Sequence, residues 1–213
     1  MESREYKIYS PVDSKVALKV VPGHFVTSHS HINYYVDITT MRTRQNEAEA
    51  AARLLASKYE NNTIVDTIIC LNGCEVIGAY LAQQLSQAGF RSMNAHRTIY
   101  IMSPEQDING QMILRDNTKP MVLNKNVLIL STSITTGVTL DKAVDSVEYY
   151  GGRVQAIASI FSMVQKERGI EITSIFDARD MEGYASYDAK DCPMCRAKQK
   201  IDAIVNGFGY SRF

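Results

Sequence analysis

Residues 131 to 139, Ser-Thr-Ser-Ile-Thr-Thr-Gly-Val-Thr, set six hydroxyl side chains around one glycine, with no acid among them. The apolar run Val127-Leu128-Ile129-Leu130 precedes them, and Leu140, Ala143, Val144 and Val147 follow at helical spacing, so the stretch reads as a strand-to-helix turn. Such a turn offers unpaired backbone N–H groups and the positive end of a helix dipole, which together suit a phosphate. Gly137 lets the backbone approach an anion, Val138 contributes its amide, and Thr135, Thr136 and Thr139 add neutral donors. The same hydroxyls also suit a helix cap, because Ser and Thr oxygens accept from first-turn amides. Taken alone, the loop leaves both readings open.

The cysteines form a second group. Cys192-Pro-Met-Cys195 has the spacing of a zinc knuckle, in which two thiolates from one tight turn take two corners of a tetrahedron. Cys70 and Cys74 are the only other cysteines, and they stand at the end of an apolar run where a folded-back tail reaches them, so a four-cysteine zinc site is expected. The alternative makes Cys70 a small buried hydrophobe and the tail pair a surface turn. His29 and His31 alternate across an expected strand, which sends both rings to one face, fit for a metal, a base edge or plain solvent. Tyr34 and Tyr35 are fit to stack on a nucleobase or to cover the core.

The elements that position these groups follow from periodicity. A short helix is expected over 13–21, then two short strands around a polar bend in Phe25 to Ile38. Strong helix formers with apolar residues three and four apart predict a helix over 45–59, ended by Asn61-Asn62. A buried strand over 63–71 precedes the turn Asn72-Gly73-Cys74-Glu75, which opens a helix ending near Gly89. Arg97 to Met102 reads as a third strand, and the polar stretch 103–120 as a hairpin or flap with a short strand near Met112 to Leu114. Asn126 to Leu130 is a core strand, a helix from Thr139 is closed by Gly151-Gly152, and Arg153–Met163 and Glu171–Asp177 are the last core strands. This alternation predicts an α/β fold, a mostly parallel sheet with helices on both faces.

Composition narrows the partners. Twenty-three basic and 23 acidic side chains cancel, which leaves no electrostatic footprint for nucleic acid or an anionic membrane and favours small molecules or proteins. No apolar run approaches the roughly 20 residues that span a bilayer, and the charged start MESREYKIYS is unlike a secretory signal, so a cytoplasmic protein is expected.

VLILSTSITTGVTL resembles the signature loop of type I phosphoribosyltransferases, a hydrophobic strand, two acids and an ITTGGTL-like phosphate cradle. GHFVTSHSHINYYVD resembles the N-terminal hood of the orotate phosphoribosyltransferases, whose hairpin ends in His-Ser-Asp-x-Tyr; His31, Asn33 and Tyr35 stand in the matching places. CLNGCEVIGAYLA resembles the family's pyrophosphate loop, and DCPMC followed by GYSR the extension of one branch. The resemblance implies a hood over 1–43, a core over 44–187 and an extension over 188–213. It further implies a homodimer and a phosphoribosyl pyrophosphate ligand carrying magnesium. The 5-phosphate then lies on Thr135 to Thr139, the ribose at Ser131 and Thr132, pyrophosphate on Asn72 to Glu75, and the base near His31, Tyr34 and Tyr35.

The departures fall at ligand-facing positions. Ser131 and Thr132 replace the two acids, which removes most of the negative field that stabilises a cationic transition state. The basic flexible loop becomes SPEQDING, with Ser103, Pro104, Asp107 and Asn109 in place of charged groups. Gly73-Cys74-Glu75 replaces a glycine pair, Phe161-Ser162-Met163 replaces an Asp-Arg strand end, and Thr27 replaces a lysine. The sequence therefore predicts a ribose-phosphate or nucleotide binding module with weak or lost transferase chemistry. The alternative is an active transferase that uses Glu75 or Asp141 for the ribose and Arg115 or Lys119 for pyrophosphate.

Overall fold

In the computed structural model, which describes residues 2–87, 92–95, 98–107 and 111–212, the chain begins with strands β1 (Tyr6–Tyr9), β2 (Ala17–Val26) and β3 (His31–Asp37). The short helix α1 (Thr39–Thr43) leads into α2 (Gln45–Ala56), followed by β4 (Thr67–Leu71), α3 (Glu75–Gln87) and β5 (Tyr100–Met102). A small pair, β6 (Glu105–Gln106) and β7 (Met112–Ile113), precedes β8 (Asn126–Ile134), α4 (Val138–Tyr149), β9 (Arg153–Ser162), β10 (Lys166–Glu167) and β11 (Ile170–Asp177). The chain closes with β12 (Ser186–Tyr187), the one-turn helix α5 (Pro193–Arg196), β13 (Ala203–Asn206) and β14 (Gly209–Arg212). Gly89, Arg97 and Asn109, expected at a helix end, a strand start and a loop, lie outside the described residues.

The central sheet has the order β10-β11-β9-β8-β4-β5 and is parallel except for β10. Its strands are apolar on both faces because both are covered. Ile68, Cys70, Leu128 and Leu130 pack with Leu55, Ile77 and Leu81 of α2 and α3, while Ile69, Leu71, Val127 and Ile129 pack with Leu140, Val144 and Val147 of α4. The expected α/β architecture is present. Strand β8 runs on to Ile134, past the expected end at Leu130, so Ser131 and Thr132 are strand residues. Among the described residues no helix is long and apolar enough to cross a membrane.

The second sheet, the hood, runs β12-β3-β2-β13-β14, with β1 on the first half of β2. The helix expected over 13–21 is instead the start of β2. Val16, Leu18 and Val20 are fully buried and alternate with Lys15, Ala17 and Lys19, a period of two that pairing with β1 and β3 enforces over local propensity. Of the two short strands and polar bend expected from Phe25 to Ile38, the second strand is β3 and the bend falls at 27–30, while the first is only the end of the ten-residue β2. The tail is woven into this sheet: Ala203 and Val205 of β13 share a small core with Val21, Phe25, Ile32 and Tyr35.

Candidate functional site

A cleft of about 530 Å³ opens between the carboxyl ends of β4, β8 and β9 and the overhanging hood. Its floor is Ser131, Ser133 to Leu140 and Asn72; its roof is Thr27 to Ser30, Tyr35, Tyr184 and the turn Asn206 to Phe208. Ligands of open parallel sheets bind at this end.

Gly137 is the N-cap of α4 at φ +82°, a left-handed conformation in which a side chain is strained, and no side-chain hydrogen bond caps this helix. The amides of Val138, Thr139 and Leu140 therefore begin the helix beside the cleft, and the first helical bond runs from the Asp141 amide to the Gly137 carbonyl (2.8 Å). The N-cap position is held by Gly137, which has no side chain, so none of the loop's hydroxyls caps α4 from it. Thr135, Thr136, Val138 and Thr139 all line the cleft. Lys142, one turn into α4, lines it too; the sequence reading passed it over, although its place three residues after Thr139 puts it on the same end of the helix.

Ser131 and Thr132 are each only 2% exposed. The Ser131 hydroxyl donates to the Ser133 carbonyl (3.1 Å) and accepts from the Asn72 side-chain amide (3.4 Å). Strand alternation turns Thr132 toward a small recess beside Tyr35, Val36 and Gly207, so only Ser131 of the pair lines the main cleft. Asp107 is the one carboxylate among the cleft-lining residues described. The strand end thus has hydroxyls and amides in place of an acidic anchor, and these residues do not by themselves fit a magnesium ion.

Asn72 (φ +58°) and Gly73 (φ +75°) make a left-handed turn between β4 and α3. The tip of the β13–β14 hairpin lies on it: a Cβ at Gly207 would fall on the Asn72 side chain, and one at Gly73 would meet Arg42 and the Phe208 ring. Arg42 holds this tip by donating from Nη2 to the Phe208 carbonyl (2.5 Å), with its guanidinium 5.4 Å from the Phe208 ring centroid. The Asn206 side chain accepts from the Phe208 and Gly209 amides (2.9 and 3.1 Å) and shapes the turn.

Among the expected base contacts, Tyr35 lines the cleft, and burial followed by the charge of Asp37 pushes its hydroxyl pKa up. Tyr34 instead stacks on Tyr184 (6.5 Å), and His31 faces away from the cleft. His29 sits in the bend and lines the cleft, so the two histidines do not share a face.

The four cysteines do not converge. Cys74 is buried beneath the start of α3 and its thiol donates to the Leu130 carbonyl (3.2 Å); burial, then the Cys70 thiol, pushes its pKa well up. Cys70 packs against Gly78 of α3. Cys192 and Cys195 lie instead beside His24 and His31, all four ligand atoms within 4.8 Å of one another. Cys70 and Cys74 are buried in the apolar packing between the parallel sheet and α3, whereas the Cys192–Cys195 turn docks on the hood beside His24 and His31. His24 carries no sequence signal of its own beyond its place in the Gly-His-Phe string.

The groups named for a rearranged transferase site are engaged elsewhere. Glu75 accepts from Ser103 (2.5 Å), Asp141 pairs with Arg168 (2.6 Å), Arg115 with Glu105 (2.5 Å) and Lys119 with Asp116 (2.7 Å).

A family model described as Phosphoribosyl transferase domain matches residues 38–207. The orotate phosphoribosyltransferase of Nitratiruptor sp. is 28% identical over 202 residues, covering 89% of this chain and 91% of the relative. That of Pelotomaculum thermopropionicum is 27% identical over 190 residues, covering 88% and 90%. Among solved structures, the Aeropyrum pernix orotate phosphoribosyltransferase aligns with a TM-score of 0.54 at 17% identity, over 75% of this chain and 88% of that one. The Mycobacterium tuberculosis enzyme in complex with Fe(III) dicitrate aligns at 0.53 and 17%, over 78% and 93%. These likenesses among solved structures carry the fold. With the family model spanning the whole parallel sheet, its helices and the hydroxyl loop, the chain belongs to the type I phosphoribosyltransferases, of the orotate phosphoribosyltransferase-like kind.

Proposed function

We propose that this chain binds the 5-phosphate of a ribose phosphate or nucleotide on Thr135, Thr136, Gly137, Val138 and Thr139, and that its transferase chemistry is weak or lost. One observation carries the second half: the 206–208 turn rests on Asn72-Gly73, the loop on which family members seat pyrophosphate. A diphosphate there has to displace a hairpin held by Arg42. The electrostatics point the same way. Transition-state stabilisation needs a preorganised negative field beside the ribose, and Ser131 supplies a dipole where a charge is required. The uncapped amides of α4 remain suited to a phosphate dianion, with Lys142 at the same end. Tyr35 and Tyr184 roof the cleft where a base would lie above the ribose. By likeness to the orotate enzymes we read the chain as a cytoplasmic homodimer in which magnesium enters with the ligand's phosphates.

Calorimetric titration with ribose 5-phosphate, and with phosphoribosyl pyrophosphate in magnesium, tests this reading. Similar affinities for the two are expected, with no orotidine 5′-phosphate formed when orotate is added. Clearly tighter binding of the pyrophosphate compound together with turnover would establish an active transferase. Binding of neither would remove the phosphate assignment and leave the fold.

A further inference from the structure

His24, His31, Cys192 and Cys195 come from three separate segments and meet at one point. His24 Nε2 lies 2.9 Å from His31 Nδ1, 3.7 Å from Cys192 Sγ and 3.6 Å from Cys195 Sγ; His31 Nδ1 lies 3.3 Å from Cys195 Sγ. A zinc ion bound at about 2.3 Å to sulfur and about 2.05 Å to nitrogen has tetrahedral edges of about 3.6 Å between sulfur and nitrogen and about 3.3 Å between nitrogens. The sulfur–nitrogen distances straddle that value. The nitrogen–nitrogen distance is shorter because the two imidazoles share a hydrogen bond, which an ion between them would open.

The surroundings are built for ligation. Pro22 pairs with Tyr34 and Phe25 with Ile32, so Gly23 and His24 together oppose Asn33; this bulge turns the His24 ring out of the strand register and toward the tail. The His24 Nδ1–H donates to the Gln199 carbonyl (2.9 Å), which leaves the Nε2 lone pair for the cluster, the arrangement usual for metal-bound histidines. The tail also clasps the His24 backbone, whose N–H donates to the Asp202 carboxylate (2.9 Å) while its carbonyl accepts from the Asp202 amide (2.8 Å). Gly23 is required there, since a Cβ would strike that carboxylate. His24 and Cys192 are fully buried, His31 nearly so, and Cys195 stands at the solvent edge of the Cys-Pro-Met-Cys turn, which gives an ion its way in.

We propose that these four residues form a closed tetrahedral zinc site that staples the C-terminal extension to the hood. Two thiolates and two imidazoles fill the coordination sphere, so the role is structural. Its consequence reaches the cleft. Seven residues separate Cys195 from Ala203, and β13 leads directly to the 206–208 turn over Asn72-Gly73, so the ion fixes the hairpin that covers that loop.

The test is metal analysis of the protein purified under reducing conditions, followed by replacement of the metal with cobalt(II). One zinc per chain and the intense visible bands of tetrahedral cobalt, with a thiolate charge-transfer band in the near ultraviolet, are expected. Cys195→Ser, at the exposed edge, should lower zinc affinity by more than the roughly 10–100-fold seen for outer-shell changes, and Cys70→Ala should leave both stoichiometry and spectrum unchanged. Circular dichroism verifies that each variant is folded. No metal after incubation with equimolar zinc, an octahedral cobalt spectrum, a native Cys192–Cys195 disulfide by mass, or loss of metal in Cys70→Ala would each overturn the assignment. The ribose 5-phosphate titration is independent of these readouts.

Discussion

At the residue scale, the strand-to-helix turn of the hydroxyl loop was legible because its logic is local: strand, glycine and helix N-terminus are consecutive, and Gly137 takes the left-handed φ that suits glycine. We expect Gly137→Val to abolish detectable ribose 5-phosphate binding. A Cβ there meets the Glu167 carboxylate at 3.1 Å, and a β-branched residue at φ +82° costs about 1–3 kcal/mol. Unchanged affinity by calorimetry would remove the cradle assignment. Ser131 and Thr132 behave differently from what their alignment with an acidic pair suggests. The Ser131 hydroxyl donates to a carbonyl that a carboxylate would repel, and both side chains are buried, so Ser131→Asp with Thr132→Asp should lower the melting temperature. The affinity for magnesium phosphoribosyl pyrophosphate should not rise above that for ribose 5-phosphate in that variant while the 206–208 turn stays in place; such a rise would show that the lost acids alone explain the lost chemistry. His24 was illegible for the opposite reason. Its cysteine partners are 168 and 171 positions away, and the bulge in β2 aims it at them.

Elements were read well where one period ruled and poorly where tertiary pairing decided. The segment α2 carries alanines at 48, 50, 51, 52 and 56 against the sheet, and helix propensity and packing agree there. Around the start of β2, lysines at 15 and 19 flanking buried Val16 and Leu18 imitate a helical face until β1 and β3 add hydrogen-bonded neighbours. The hairpin β13–β14 was seen only as a tail motif, because its few apolar residues acquire meaning against Val21, Phe25 and Tyr35. Its tip is held by the Arg42 side chain through a hydrogen bond and a ring contact worth together about 1–3 kcal/mol. Arg42→Ala should therefore speed amide exchange in residues 206–212 by about tenfold or more without changing exchange in β4 or β8. The same variant should bind phosphoribosyl pyrophosphate more tightly if the tip excludes diphosphate from the Asn72-Gly73 loop. Faster exchange with no gain in affinity would separate the latch from the exclusion.

For the whole molecule, the hood and the core are joined through buried tyrosines, and this sets how the fold responds to alkali. The Tyr59 hydroxyl, at the end of the helical segment that includes α2, donates to the Ile157 carbonyl of β9 (2.9 Å), and burial pushes its pKa up to about 12. Burial also raises Tyr184 and Tyr35, which sit where the hood meets the cleft. The sign follows from linkage. Each folded pKa lies above the unfolded value near 10, so between about pH 10 and 12 the unfolded chain binds fewer protons than the native one, and stability falls as pH rises. The contribution is fully present below about pH 10 and declines by roughly 1.4 kcal/mol per pH unit for each such group above it. Denaturant midpoints should be flat through neutrality with respect to these groups and drop steeply above pH 10. Tyr59→Phe should start lower at pH 8, having lost its hydrogen bond, yet fall less steeply, so that the two curves converge toward pH 12. Parallel curves would mean that Tyr59 ionises without resistance in the native state. Because Tyr59 reports the core and Tyr184 the hood, coincident transitions followed by far-ultraviolet circular dichroism and by tyrosine absorbance would show that the two sheets unfold as one unit.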